Sequence, residues 1–150
     1  MIVWRISNHL DLSGTGGLRA AARWHHAGAP VVYTANSPAS ALLEVLAHLD
    51  FGEPVYLPDA YQLAQIEVPE NVSILEINAV ELAAGWQENI ILTREIGNRW
   101  LRGFASALLS VPSAIVPHTQ NYLLNPAHPD AKAIKVVAHG SYPFDLRLFQ

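Results

Sequence analysis

The chain contains no cysteine among its 150 residues, so neither a disulfide staple nor a cysteine-based zinc site enters its chemistry. Charge is also scarce: Asp, Glu, Lys and Arg make up 15% of the sequence, which gives less solvated surface than an ordinary monomer carries. That apolar surplus sets an expectation of an interface with another chain, a homo-oligomer included. Basic residues are few, nine against thirteen acidic ones for a net charge of −4, and they are scattered. No stripe matches a phosphate backbone, which argues against direct binding of nucleic acid. Long hydrophobic runs are missing despite an apolar fraction of 51%, because charge, Gly or Pro interrupts each one well before the roughly 18 residues that a membrane helix needs. The opening Met1-Ile-Val-Trp-Arg5 lacks a basic stretch followed by a long apolar core, and with the absence of cysteine this sets the expectation of a cytoplasmic protein. Repeats, low-complexity tracts and linker-like shifts are absent as well. A single domain over 1–150 follows, long enough to bury roughly 70% of its unfolded surface.

What is present is punctuation by Pro and Gly between short apolar runs. Ile2 to Ile6 and Pro30 to Thr34 read as strands. Ser37-Pro38 opens a helix, with the serine as N-cap and the proline in the first turn, running to about Leu49. Tyr61 to Val68 and Val72 to Ile77 alternate as strands joined by the turn Pro69-Glu-Asn71. Thr93 is expected to cap a helix that ends near Arg102 and is stopped by Gly103. Ala107 to Val111 and Ala114 to Val116 read as two strands broken by Pro112, His118 to Asp130 as an irregular loop, and Ala133 to His139 as a last strand. Strands and helices mix without regular alternation, which favours an α+β fold.

Some residues carry possible chemistry. Glu44 projects from its helix almost opposite the stripe Leu42, Val45, Leu46 and Leu49, among Ser40, Ala41, Ala47 and His48. Those neighbours are too small and weakly polar for a fully solvated face, so that side is either covered, for example by a ligand, or a second packing face. Arg23 follows the glycine run Gly14-Thr-Gly-Gly17; glycines with an arginine cradle phosphates in many sites, and a surface loop gives the same pattern. Seven histidines form no established zinc spacing. Ser113 lacks the Gly-x-Ser-x-Gly elbow of a hydrolase nucleophile and reads as a turn serine bonded to its own backbone.

Together these segments resemble the RES domain, named for an arginine, a glutamate and a serine. The resemblance rests on Trp4-Arg-Ile6, Arg23-Trp24, Tyr33 in Val-Val-Tyr-Thr-Ala, Ala41-Leu-Leu-Glu44 with His48, Val111-Pro-Ser113, Asn121-Tyr-Leu-Leu-Asn125-Pro-x-His128-Pro and Phe144-Asp-Leu-Arg-Leu148, in that order over nearly the whole chain. The family usually has Gly-Gly where this chain has Ala21-Ala22, and Asn where it has His25. The resemblance implies a fold similar to ADP-ribosyltransferases, two small mixed sheets with flanking helices and an NAD cleft between them. It implies the toxin of a type II toxin–antitoxin pair that depletes NAD by cleaving the nicotinamide–ribose bond, with NAD a consumed substrate and no cofactor or metal. Residue by residue, it implies that Arg23 binds the pyrophosphate and Tyr33 faces the nicotinamide or its ribose. Glu44 stabilises the ribosyl cation, Ser113 orients the same end of the ligand, and Asn121 and His48 are further binding residues. The implied partner is an Xre-like helix-turn-helix antitoxin. Alternatives within this reading are an ADP-ribosyltransferase acting on a protein and a non-catalytic antitoxin-binding module.

Overall fold

A computed structural model describes residues 1–48 and 61–149. Its strands are β1 (Ile2–Ser7), β2 (Val32–Ala35), β3 (Gln62–Glu67), β4 (Ile74–Glu76), β5 (Leu108–Pro112), β6 (Gln120–Leu124) and β7 (Lys135–Ser141). The helices are α1 (Thr15–Arg19), α2 (Pro38–His48) and α3 (Ile90–Gly103), with three short 3-10 turns. The strands form one sheet in the order β4-β5-β6-β2-β1-β3-β7, antiparallel except for the parallel pair β4 and β5. The α+β expectation holds.

The two expected sheets are joined into one, but only just. β1 meets β3 along six residue pairs, from Ile2 opposite Glu67 to Ser7 opposite Gln62, whereas β1 meets β2 at the single pair Trp4 and Ala35. One core cluster draws Val3, Ala64 and Ile66 from one side of this join and Val32, Leu108 and Leu124 from the other. The sheet therefore folds over at the join and packs its two halves face to face. The turn after β3 is formed as read, with the Val72 N–H on the Pro69 carbonyl at 3.1 Å. It leads not to a neighbouring strand but across the fold to β4 at the far edge, a step that six residues span only because the halves face each other.

β5 is buried along its whole length because both its faces are covered. Leu108 points into the cluster between the halves, and Leu109 and Val111 point the other way, onto Trp24, Trp86, Trp100 and Leu101. α3 supplies that second cover through Thr93, Gly97, Trp100 and Leu101, all buried on one stripe at helical spacing.

Several boundaries differ from the sequence reading. α3 starts earlier than expected: Asn89 is its cap, accepting from the Leu92 N–H at 3.1 Å, and Thr93 lies inside the helix with its hydroxyl on the Arg23 carbonyl at 2.7 Å. Gly103 is the last helical residue, and the left-handed stop is Phe104, with φ 49°. Pro112 ends β5 rather than separating two strands, and residues 114–116 form a bend. β6 lies within the expected loop 118–130, where Pro and Asn masked the alternation of Tyr122 and Leu124 with Leu123. Ser37 and Pro38 open α2 as expected, the serine hydroxyl accepting from the Ser40 N–H at 3.1 Å. The expected end at Leu49 lies outside the described residues.

Candidate active site

The described residues enclose a cleft of about 460 Å³ where the two halves diverge at the β1–β2 join, within the usual size of small-molecule sites. α2 turns Ala41, Glu44, Val45 and His48 toward it, positions that share one face at helical spacing. The side of α2 that the sequence marked as too apolar for solvent is thus the cleft wall, with Ala41 buried against β1 and β2.

Glu44 is half-buried, and two neutral donors meet at its Oε1: the Ser113 hydroxyl at 3.0 Å and the Asn121 Nδ2 at 2.6 Å. Ser113 reaches it because β5 has just ended, and Asn121 because β6 lies between β2 and β5 in register with Ala35 and Val111. The Ser113 hydroxyl also accepts from the N–H groups of Ile115 and Val116, each at 3.2 Å. The turn reading of this serine holds, and its hydroxyl also reaches the Glu44 carboxylate. With two donors already on its oxygen, its one proton is directed to Glu44. Ser113 is 8% exposed and stands behind the carboxylate, outside the cleft lining. Among the described residues no Lys, Arg or His nitrogen lies within 4 Å of the Glu44 carboxylate. Its carboxylate is oriented by dipoles without being neutralised.

Arg23 lines the cleft and donates through a terminal guanidinium nitrogen to the Gln87 carbonyl at 2.6 Å. Its segment is fastened to α3 by the Thr93 hydroxyl on the Arg23 carbonyl, by Arg94 Nε on the Ala22 carbonyl at 2.8 Å and by the Asn98 side chain accepting from the His26 N–H at 3.2 Å. Gly97 permits this docking, since a Cβ there would stand 1.7 Å from the Trp24 carbonyl oxygen. Tyr33 on β2 faces the cleft, and its hydroxyl is held by the Trp24 N–H at 3.2 Å and by His25 Nδ1 at 2.8 Å. Burial pushes the phenol pKa far above its ordinary value. His48 stands exposed at the rim, its Nδ1 on the Glu44 carbonyl of its own helix at 2.6 Å. Arg23, Tyr33, Glu44, His48 and Asn121 are thus gathered in one cleft, with Ser113 one layer behind.

Gly16 and Gly17 lie along the cleft lining, but Gly14 and Gly17 are packed against the following segment rather than forming an open cradle. Gly14 sits at φ +71° with the Val31 N–H on its carbonyl, and a Cβ on Gly17 would stand 2.6 Å from the Ala29 carbonyl oxygen. These glycines allow α1 to lie against residues 29–31. Among the described residues no group of three His, Asp or Glu could hold a metal ion, and no helix is long and apolar enough to cross a membrane.

Two cleft residues escaped the sequence reading. Arg5, on β1, is half-buried and lines the cleft; burial lowers its pKa, and it donates only to the Asp11 carbonyl at 3.0 Å, with no carboxylate within 4 Å among the described residues. The available signal was a lone cation inside an apolar strand. His25 is 2% exposed and had registered only as a departure from the family pattern.

Comparison with known proteins places this geometry. The RES domain model matches residues 2–145. "Toxin Res" of Pseudomonas putida is 50% identical over 149 residues, covering 99% of this chain and 100% of that protein. "Prs ADP-ribosylating toxin" of a Sphingobium species is 38% identical over 157 residues, covering 98% of this chain and 96% of that protein. Among solved structures, the toxin–antitoxin complex MbcT–MbcA of M. tuberculosis shares the fold with a TM-score of 0.73 at 18% identity, over 99% of this chain and 86% of that one. The chain belongs to the RES-domain family, and its relatives named here are toxins.

Proposed function

We propose that the chain is the toxin of a toxin–antitoxin pair and that it cleaves the bond between nicotinamide and ribose in NAD. The observation that carries this reading is Glu44: a half-buried carboxylate in a cleft, fixed by two neutral donors on one oxygen and paired with no cation among the described residues. Nicotinamide leaves as a neutral ring from a cationic one and needs no proton at the leaving group. Positive charge grows on the ribose instead, and an oriented carboxylate stabilises it without reorganising as the charge develops. Ser113 and Asn121 hold Glu44 in place. Arg23 and Arg5, two guanidinium groups with no carboxylate partner among the described residues, suit the two charges of a pyrophosphate. Tyr33 and Trp4 supply ring surface along the walls.

The acceptor of the ribosyl group is water, phosphate or a protein side chain. The relative named for ADP-ribosylation supports the protein acceptor as a second reading. One assay separates them: purified protein with NAD labelled in its adenylate half, followed for free nicotinamide and for label on protein, with and without phosphate and cell extract. Nicotinamide release without labelled protein supports hydrolysis or phosphorolysis, and labelled protein supports transfer. Absence of both under every condition overturns the reading in favour of a non-catalytic antitoxin-binding module. The antitoxin partner, Xre-like with a helix-turn-helix, and a cytoplasmic site of action belong to the same proposal, in which NAD is a substrate and no cofactor is required.

A further inference from the structure

His25 is a buried imidazole that the proposed chemistry does not use, and its surroundings fix its protonation. Its Nε2 lies 3.3 Å from the Gly17 carbonyl oxygen, which only accepts, so Nε2 carries the hydrogen. The neutral ring then presents a lone pair at Nδ1, 2.8 Å from the Tyr33 hydroxyl. Because that hydroxyl already accepts from the Trp24 N–H, it is free to donate to Nδ1. The chain of bonds runs from Trp24 through Tyr33 and His25 to Gly17, whose carbonyl also accepts from the Gly28 N–H at 3.2 Å. One ring thereby ties the glycine turn, the Arg23 segment and β2 together under the cleft.

We infer that neutral His25 is a positioning residue for NAD binding, holding Tyr33 and the Arg23 segment in register by accepting the Tyr33 proton. This rests on the function proposed above. Protonation would break the arrangement: Nδ1 would become a donor, the Tyr33 oxygen would receive two hydrogens, and its own proton would lose its acceptor. The groups facing the ring oppose protonation. Burial is the largest influence and lowers its pKa below 6.5; Arg94 from α3 and His26 from its own segment act in the same direction. The Gly17 and Ala20 carbonyls act against them, β2 offers only Tyr33, and Arg23 is the remaining charge beside that phenol. NAD binding should therefore be unaffected near neutrality and weaken only in acid, below the range where an ordinary imidazole protonates.

The test combines spectroscopy with kinetics. In the histidine side-chain NMR spectrum, the signal lost in His25→Asn should report a hydrogen on Nε2 and none on Nδ1, and it should shift in Tyr33→Phe. In nicotinamide release, His25→Phe keeps the ring shape but removes the acceptor, so KM for NAD should rise about three- to tenfold, as for one buried hydrogen bond, with kcat changing less than about twofold. His25→Asn, smaller but a neutral acceptor, should keep KM near normal at pH 7 and abolish its rise in acid. A residue needed only for packing gives the reverse order, with Phe tolerated and Asn impaired. A hydrogen on Nδ1, or that reversed order, overturns the inference. If the native protein releases no nicotinamide, the functional reading fails, and the tautomer with its response to Tyr33→Phe still decides the role of His25.

Discussion

Both donors that reach Glu44 meet at Oε1, and no described residue donates to Oε2. Glu44→Gln keeps a carbonyl oxygen where Oε1 stood, so the variant should fold normally while losing the charge. The expected cost is about 3 kcal/mol of barrier or more, at least roughly a hundredfold in nicotinamide release, with thermal unfolding within about 0.5 kcal/mol of the native protein. Near-normal turnover in the folded variant would remove Glu44 from the mechanism. Asn121→Asp tests the same carboxylate from the other side. It places a second carboxylate about 2.6 Å away, so the pair retains a proton near neutral pH and Glu44 shares its single charge with the new carboxyl instead of carrying it alone. kcat should fall at least about tenfold, with KM much less affected. Arg23→Lys keeps the charge but loses the planar fork, so KM should rise more than kcat falls; equal kinetics would remove the pyrophosphate role. At this scale the sequence was informative where a residue broke a local pattern. Glu44 stood out because its neighbours were too apolar for a solvated face. The Ser113 and Asn121 contacts are separated from Glu44 by 69 and 77 residues, and no local pattern encodes them. His25 and Arg5 were missed because a buried polar residue looks, in sequence, like an exposed one.

The element that places Arg23 is α3, which holds the segment from Ala22 to His26 by three hydrogen bonds and the close approach at Gly97. Gly97→Ala removes a poor helix former yet drives a methyl group into the Trp24 carbonyl. Overpacking should win, destabilising the fold by about 1–3 kcal/mol against the roughly 1 kcal/mol gained in helix propensity. Calorimetry should show the loss, and KM for NAD should rise as Arg23 shifts. An unchanged or raised melting temperature would show that the segment yields freely. α2 and the apolar stripe of α3 were legible because capping and helical periodicity are local signals. The strand β6 was not, since its burial comes from β2 and β5, strands distant in the chain.

Across the whole molecule, the two halves of the sheet share one backbone pairing and a cleft at its mouth. The join should be the weakest line of the fold. In native-state hydrogen exchange, the amides bonded across the Trp4–Ala35 bridge should open at lower free energy than those bonded between β1 and β3. NAD bound to the inactive Glu44→Gln protein should protect them, since the residues proposed to bind it lie on both sides. Equal protection of both ladders without ligand would show that packing between the halves, rather than strand pairing, governs the join. The α+β class was readable from the irregular order of elements; the single bridge was not, because the extent of a ladder depends on how two distant strands drift apart.

The fastening of Arg23 to α3 also bears on the order in which the site comes into being. The bonds that hold its segment connect residues 64 to 72 positions apart, and those that hold Glu44 connect residues 69 and 77 positions apart. Contacts of such separation form late, after the entropy of closing large loops has been met by other packing. A growing chain carries Arg23 and Glu44 early in synthesis, yet neither is held until α3 and then Ser113 and Asn121 have been made. The cleft cannot be completed until Asn121 has been made, so the early residues Arg23 and Glu44 wait, without a site, on later ones.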